Sequence, residues 1–208
     1  MTGLLIAFMI ALLVPLFVGK WRTSLLGLAM QGALMASIAL RQHGVRLSVA
    51  SAVTAIDLVV LRAVALPVAL YLVLRRQNAP ARNDVIAPNL FSWAMALALV
   101  AVAYRTADIL VPLEGDEQAL AAVACAAFLL GMFILSTARG TVSQIIGLMR
   151  IENAIALFEL GSLSDHTSLG IRVGQTAIML ISIGFYRWYL VGLAREEPAA
   201  PARETAVL

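Results

Sequence analysis

Seven ionisable side chains lie inside long apolar stretches of this sequence. They are Asp57, Arg62, Arg105, Asp108, Arg150, Glu152 and Glu159. If the stretches cross a lipid bilayer, a charge at the centre of a helix costs roughly 2.5–3.5 kcal/mol on insertion scales. A membrane protein keeps such charges when they are paired, hydrated or used for function. These residues are therefore the first candidates for chemistry.

The apolar stretch that ends near Gly161 carries the densest set of polar residues. Glu152 and Glu159 are seven residues apart, so on a helix they share one face, about 10.5 Å from each other along the axis. We interpret the pair as proton-relay candidates, because a buried carboxylate beside an arginine can hold or release a proton near neutral pH. Arg150 points to another face, where we expect a partner on a neighbouring helix. The alternative is that Arg150, Glu152 and Asn153 only bond helices together.

Two more charged pairs lie earlier in the chain. Asp57 and Arg62 are five residues apart, a spacing that disfavours contact within one α-helix, so we expect each to meet water or another helix. Pro67 follows them and predicts a kink, because proline lacks a backbone donor. Arg105 and Asp108 are three apart on one face and are predicted to form a local, structural ion pair. Asp57 is a third proton-relay candidate. Arg62, Arg105 and Asp108 are interpreted as charge-tuning or structural partners.

Composition indicates an all-α, polytopic transmembrane bundle that positions these charges. The 208 residues are 62% hydrophobic and 13% charged, with a mean hydropathy of +0.92. The apolar stretches are continuous over about 17–27 residues, as membrane helices require, and lack the alternation of a barrel. We predict about seven spans in one bundle over 1–194, followed by a disordered tail over 195–208. The predicted spans are 2–19, 24–40, 48–74, 87–113, 117–138, 143–161 and 168–191.

Basic residues outside the spans predict the orientation of the bundle. One side collects Lys20, Arg22, Arg75, Arg76, Arg82, Arg139, Arg187, Arg195 and Arg203, and the other side holds Arg41, Arg46 and Arg172. Because loops rich in lysine and arginine stay in the cytoplasm, we expect a cytoplasmic C-terminus and an N-terminus on the other side. The first stretch lacks the basic start and cleavage pattern of a signal peptide, which predicts a retained span. The basic residues occur singly at span ends and predict no nucleic-acid partner.

The sequence predicts no catalytic centre, metal site or cofactor. Cys125 is the only cysteine and lies in an apolar stretch, which excludes a disulfide framework within the chain and a multi-cysteine cluster. The two histidines, His43 and His166, lie in predicted loops without a second ligand at metal-binding spacing. Redox chemistry within this chain is therefore not expected.

The segment QIIGLMRIENAIALFE, 144–159, resembles hydrogenase-4 component E, a membrane subunit of formate hydrogenlyase and group 4 hydrogenase complexes. The resemblance is most specific in GLMRIEN, Gly147 to Asn153. It extends more weakly to LRAVALPVALYLVLRR, Leu61 to Arg76, which is similar to the third span of that family. The last three spans are similar to the K subunit of respiratory complex I and the C subunit of Mrp antiporters.

The resemblance implies a subunit without redox cofactors in the inner membrane of a bacterium or archaeon. Its expected partners are antiporter-like membrane subunits and the metal-centre subunits of a multi-subunit complex. Its expected role is a contribution to proton or sodium translocation coupled to redox chemistry in those partners. Glu152 and Asn153 match the family motif, and Glu159 corresponds only to a nearby acid.

Two departures from the family pattern change what the resemblance implies. Arg62 stands where the family has a lysine, and because arginine stays protonated it would act as a fixed charge. Ser168 and Gly174 stand where the family has acidic residues, so half of the expected relay is missing. Two alternatives stay open: a non-conducting scaffold or adaptor subunit, and an independent secondary transporter, which would need repeated halves that the sequence lacks.

Overall fold

Seven helical segments account for the part of the chain that the computed structural model describes, which is residues 1–43, 48–76, 89–110, 115–162 and 169–196. These residues contain helices and no strands, which confirms the predicted all-α helical bundle. In chain order the elements are α1 (Thr2–Leu13, extended by a 3-10 turn Val14–Leu16), α2 (Trp21–His43), α3 (Val49–Ala55), a π-helix that we call π1 (Ile56–Ala65), α4 (Leu66–Arg76), α5 (Leu90–Leu110), α6 (Asp116–Thr137), α7 (Thr141–Ser162) and α8 (Leu169–Glu196).

Each predicted span corresponds to one helical segment, with α3, π1 and α4 forming a single continuous helix. Five segments are long and apolar enough to cross a membrane: Trp21–Gln42, Val49–Arg76, Leu90–Ile109, Asp116–Thr137 and Leu169–Leu193. This indicates a membrane-spanning protein. The other two segments are the shorter apolar helix Thr2–Leu16 and α7, which carries three charged residues.

The ends of the segments differ from the prediction in two places. The first helix stops at Leu16 instead of 19, because Pro15 lies in a tightened 3-10 turn. The last helix continues to Glu196, so the chain is still helical at position 195, where the tail was predicted to begin. The rest of that tail, 197–208, and the loop positions Arg46 and Ser168 lie outside the described residues.

Small residues allow α6 and α7 to pack closely side by side. A Cβ added to Gly131 on α6 would lie 2.8 Å from Ile151 Cγ1 on α7, and one added to Gly147 would lie 3.3 Å from the Leu135 nitrogen. The buried residues of α6 include five alanines. Lipid supplies no hydrophobic drive between helices, so close backbone approach at small residues is the usual way to hold such a pair. The pair gives α7 a fixed place in the bundle.

An even closer approach joins α2 to π1. A Cβ on Gly32 would lie 2.6 Å from the Ala63 nitrogen and 2.8 Å from the Arg62 carbonyl carbon. Both neighbours are backbone atoms and cannot move aside as a flexible side chain could, so glycine is required at this position. The contact brings Gln31, the residue before Gly32, next to the segment that carries Arg62.

The π-helical turn is the least regular part of the fold. The Leu66 N–H donates to the Leu61 carbonyl, five residues back, which is the hydrogen bond of a π-helix. Pro67 follows immediately; it has no N–H to offer the carbonyl of Ala63, and its ring crowds that carbonyl. The sequence predicted a kink at Pro67, and the structure places a ten-residue π-helix directly before it.

Candidate functional site

Four side chains from three helical segments form a continuous hydrogen-bonded row inside the bundle, which we call the polar chain: Gln31, Asn153, Arg62 and Asp57. Asn153 is its centre: its Nδ2 donates to Gln31 Oε1 at 3.1 Å, and its Oδ1 accepts from Arg62 Nη1 at 3.1 Å. Arg62 Nε in turn donates to Asp57 Oδ2 at 2.8 Å. The chain therefore ties α2, π1 and α7 together.

The polar chain is almost completely shielded from the surroundings of the bundle. The exposed fractions are 0% for Gln31, 1% for Asn153, 5% for Arg62 and 7% for Asp57. Charges in such a place lose their hydration, and the loss is offset only by close pairing and by hydrogen bonds to the remaining donors and acceptors. The short ion pair of Arg62 with Asp57 supplies the pairing, and the Asn153 amide supplies hydrogen bonds to Arg62 and Gln31.

The expectation that Asp57 and Arg62 do not contact each other within one helix was wrong. Their carboxylate and guanidinium form an ion pair of 2.8 Å across a separation of five residues. The reason is the local helix type, because in a π-helix the backbone bonds join residues five apart and bring them to the same side. An α-helix would have directed the two side chains to different faces. The expected partner on another helix also exists for Arg62, since it donates to Asn153.

Glu152 lies beside the polar chain and joins α7 to α8. Its Oε1 accepts a hydrogen bond of 2.9 Å from Ser182 Oγ on α8. Its Oε2 is buried and makes no hydrogen bond to any residue that the structure describes. The charges of Arg62 and Asp57 act on this carboxyl group. Glu152 is therefore a half-buried carboxylate with one oxygen engaged and one available, next to a fixed ion pair.

Glu159 lies two turns further along the same face of α7 and is also half-buried. The charges of Arg62 and Asp57 reach it as they reach Glu152, and the charge of Arg172 acts on it as well. Arg172 donates from Nη1 to Thr54 Oγ1 at 2.6 Å, which connects α8 to α3. The acidic face of α7 is thus directed towards π1 and α8.

The remaining predicted residues have other environments. Arg150 is almost fully buried on α7, at 1% exposure. The predicted ion pair of Arg105 with Asp108 was wrong: among the described residues the structure holds no such pair, and Asp108 Oδ1 instead accepts from Gln118 Nε2 on α6 at 2.8 Å. The helical spacing would allow the pair, but Asp108 is held by the neighbouring helix while Arg105 stays exposed.

Sequence reasoning missed two residues of the site and misread a third. Gln31 and Ser182 carry no charge and were passed over, although an uncharged polar side chain inside an apolar span is itself a signal of a bond between helices. Arg172 was counted only as a topology charge, whereas it is half-buried and bonded to Thr54.

Four buried atoms of the site lack a hydrogen-bond partner among the described residues: Gln31 Nε2, Asp57 Oδ1, Glu152 Oε2 and Arg172 Nε. Buried polar atoms in native proteins are normally paired with protein groups or ordered water, so each of these atoms is a place for such a partner. Two of the four are carboxylate oxygens, which accept protons. Within the described ranges no group of histidine, cysteine and acidic residues is arranged to hold a metal ion.

Comparisons with protein-family models, with characterised proteins and with solved structures gave no match for this chain.

Proposed function

We propose that this chain is a membrane-arm subunit of a complex I-related assembly of the hydrogenase-4 or formate hydrogenlyase type, and that it contributes to proton translocation. The observation that carries the proposal is the environment of Glu152. Its carboxylate is half-buried in an apolar bundle, has one unengaged buried oxygen and lies beside the Arg62–Asp57 pair. Charges this expensive inside a membrane are by default functional.

Glu152 is the proton station in this proposal. Its Oε2 takes up a proton, while Ser182 holds Oε1 in place from α8. Arg62 serves as a fixed charge that favours the ionised form of the neighbouring carboxylates and cannot itself release a proton. Asp57 forms an ion pair with Arg62, so in this proposal it balances the charge of the guanidinium and does not carry protons. Glu159, two turns along the same face, is the second station.

The proposed assembly is supported by the resemblance of Gly147 to Asn153 to hydrogenase-4 component E. The proposed partners are antiporter-like membrane subunits and metal-centre subunits, in the cytoplasmic membrane of a bacterium or archaeon. The cytoplasmic C-terminus that we propose agrees with the position of the basic residues. In the proposed assembly the redox chemistry belongs to the partner subunits, as the resemblance implies.

A non-conducting scaffold subunit is the second candidate, and the bonds of the polar chain between helices favour it. Gln31, Asn153, Arg62 and Asp57 bond one another across α2, π1 and α7, as a chain that only fixes helices would. The two candidates differ in one respect: a scaffold does not need Glu152 to exchange a proton, and a conducting subunit does.

The assembly is tested by purification of the tagged full-length protein from its host in a mild detergent, followed by mass spectrometry of the co-purifying proteins. We expect antiporter-like subunits and a metal-centre subunit in stoichiometric amounts. Purification as a stable monomer without such partners would contradict both the conducting and the scaffold roles and would leave an independent transporter as the better account.

A further inference from the structure

One end of the bundle is identified by its aromatic contacts. The Phe17 ring stacks on Trp93 with 4.1 Å between centroids, and Trp21 lies 5.6 Å from Tyr71. These contacts bring together the end of α1, the starts of α2 and α5, and the end of α4. We call this end of the bundle the basic end.

Six exposed basic side chains lie towards this end, on or next to α2, α4, α7 and α8. They are Lys20, Arg22, Arg75, Arg76, Arg139 and Arg187. Asp108, Asp116 and Glu117 lie at the opposite end, and Asp57, Glu152 and Glu159 lie within the spans. Glu196, the last residue of α8, is the one acidic residue of the described ranges at this end, so basic residues outnumber acidic ones there.

Within the basic end, two arginines flank an aromatic pair. The Arg22 guanidinium carbon lies 5.3 Å from the Trp21 ring centroid. Trp21 in turn packs on Tyr71, and Arg75 follows Tyr71 by four residues, so it lies on the same face of α4, one turn nearer the end. Tryptophan and tyrosine occupy the headgroup depth of a bilayer, which places Arg22 and Arg75 at the depth of lipid phosphates.

We propose that Arg22 and Arg75, on either side of the Trp21–Tyr71 pair, form a binding site for the headgroup of an anionic phospholipid. The ligand class follows from charge complementarity and depth: a phosphodiester that carries net negative charge offers the acceptors that guanidinium groups bind best. Arg76 and Lys20 extend the positive surface around the site. This site does not depend on the proposed function.

A lipid fits this surface better than an acidic protein does. Arg22 lies against the Trp21 ring, which is itself buried at 9% exposure, in the first turn of an apolar helix long enough to cross a membrane. A headgroup bound there keeps its chains along the apolar faces of α2 and α4. Basic groups next to membrane helices attract anionic lipids with an effect of about fivefold in binding for each lysine or arginine.

Tryptophan fluorescence provides the test, because all three tryptophans, Trp21, Trp93 and Trp188, lie at the basic end. The protein with Trp93→Phe and Trp188→Phe is reconstituted in phosphatidylcholine, and quenching of Trp21 by brominated phosphatidylglycerol is compared with quenching by brominated phosphatidylcholine. We expect binding of the anionic lipid to be favoured several-fold, and about fivefold less favoured after Arg22→Gln or Arg75→Gln. Arg41→Gln, an exposed arginine at the opposite end, is the matched control and should leave the preference unchanged.

Equal quenching by the two lipids in the protein with Arg22 and Arg75 intact would overturn the proposal. A preference that survives Arg22→Gln together with Arg75→Gln would overturn it as well. Because both arginines are exposed, their replacement should leave the helical content unchanged, which circular dichroism checks.

Discussion

Arg62 and Asp57 form an ion pair of 2.8 Å although they are five residues apart in one helix, because that helix is π-helical where the pair forms. The π-helix thus provides the geometry that an α-helix would deny. It also leaves Arg62 Nη1 directed at Asn153 on α7. One local irregularity therefore produces the ion pair and its link to a second helix.

Removal of one member of this pair should cost more than removal of both. Arg62→Leu leaves the Asp57 carboxylate buried without its cation, which costs about 3–5 kcal/mol for a buried pair. Asp57→Leu together with Arg62→Leu removes both charges and should recover a large part of that loss. The unfolding free energy, measured by detergent titration in mixed micelles, checks this. If the double variant were less stable than Arg62→Leu alone, the pair would not be the reason for the loss.

Gly32 should not tolerate even the smallest side chain. Gly32→Ala places a methyl group 2.6 Å from the Ala63 nitrogen, so α2 and π1 must separate, and overpacking of this kind costs about 1–3 kcal/mol. The matched control is Gly174→Ala, a helical position at which an added Cβ meets nothing within 4 Å. Thermal unfolding followed by size-exclusion chromatography measures both. Equal behaviour of the two variants would show that the close approach is absent.

The hydrogen bond between Asn153 and Gln31 should appear as an energetic coupling. Asn153→Leu and Gln31→Leu each remove one partner of the 3.1 Å bond, so their combined effect should fall short of the sum by about 0.5–1.5 kcal/mol. Asn153→Leu combined with Gln118→Leu is the control, because Gln118 bonds to Asp108 outside the polar chain. That pair should be additive. A double-mutant cycle on the unfolding free energy decides between the two patterns.

The helical framework was predictable because its signal is strong and local. Continuous apolar stretches bounded by arginine, lysine or glycine identify membrane helices without knowledge of their neighbours, and all seven segments were predicted in this way. The shared face of Glu152 and Glu159 was predictable for the same reason, since helical spacing alone determines it. Both carboxylates are half-buried in the structure.

The contacts between distant residues were not predictable from spacing. The bond of Asn153 with Gln31 joins residues 122 positions apart, and one sequence without a pattern of covariation contains no sign of it. The π-helix was missed because the α-helix is the default for an apolar span, and π-helical turns are rare. The partner of Asp108 was not predictable for the same reason, because its hydrogen bond comes from Gln118 on a neighbouring helix and not from Arg105 on its own helix.

We predict the orientation of the bundle from the basic end, which should face the cytoplasm. We expect a cysteine at Arg139→Cys to react with a membrane-impermeant maleimide only in opened cells, and a cysteine at Glu117→Cys to react in intact cells. Cys125→Ala supplies the background, since Cys125 is the only natural cysteine. Labelling of intact cells at position 139 and not at 117 would reverse the topology.

In the proposed function, Glu152 exchanges a proton during turnover of the assembly. Proton uptake by inverted membrane vesicles that carry the intact complex measures whether this exchange is needed. Glu152→Gln keeps the shape of the side chain and its contact with Ser182 while removing the titrating group, and Glu117→Gln, an exposed residue outside the site, is the matched control. We predict that Glu152→Gln lowers proton translocation per electron pair at least tenfold while the complex remains assembled, and that Glu117→Gln translocates normally. Undiminished translocation by an assembled Glu152→Gln complex would show that Glu152 is not a proton station and would favour the scaffold role.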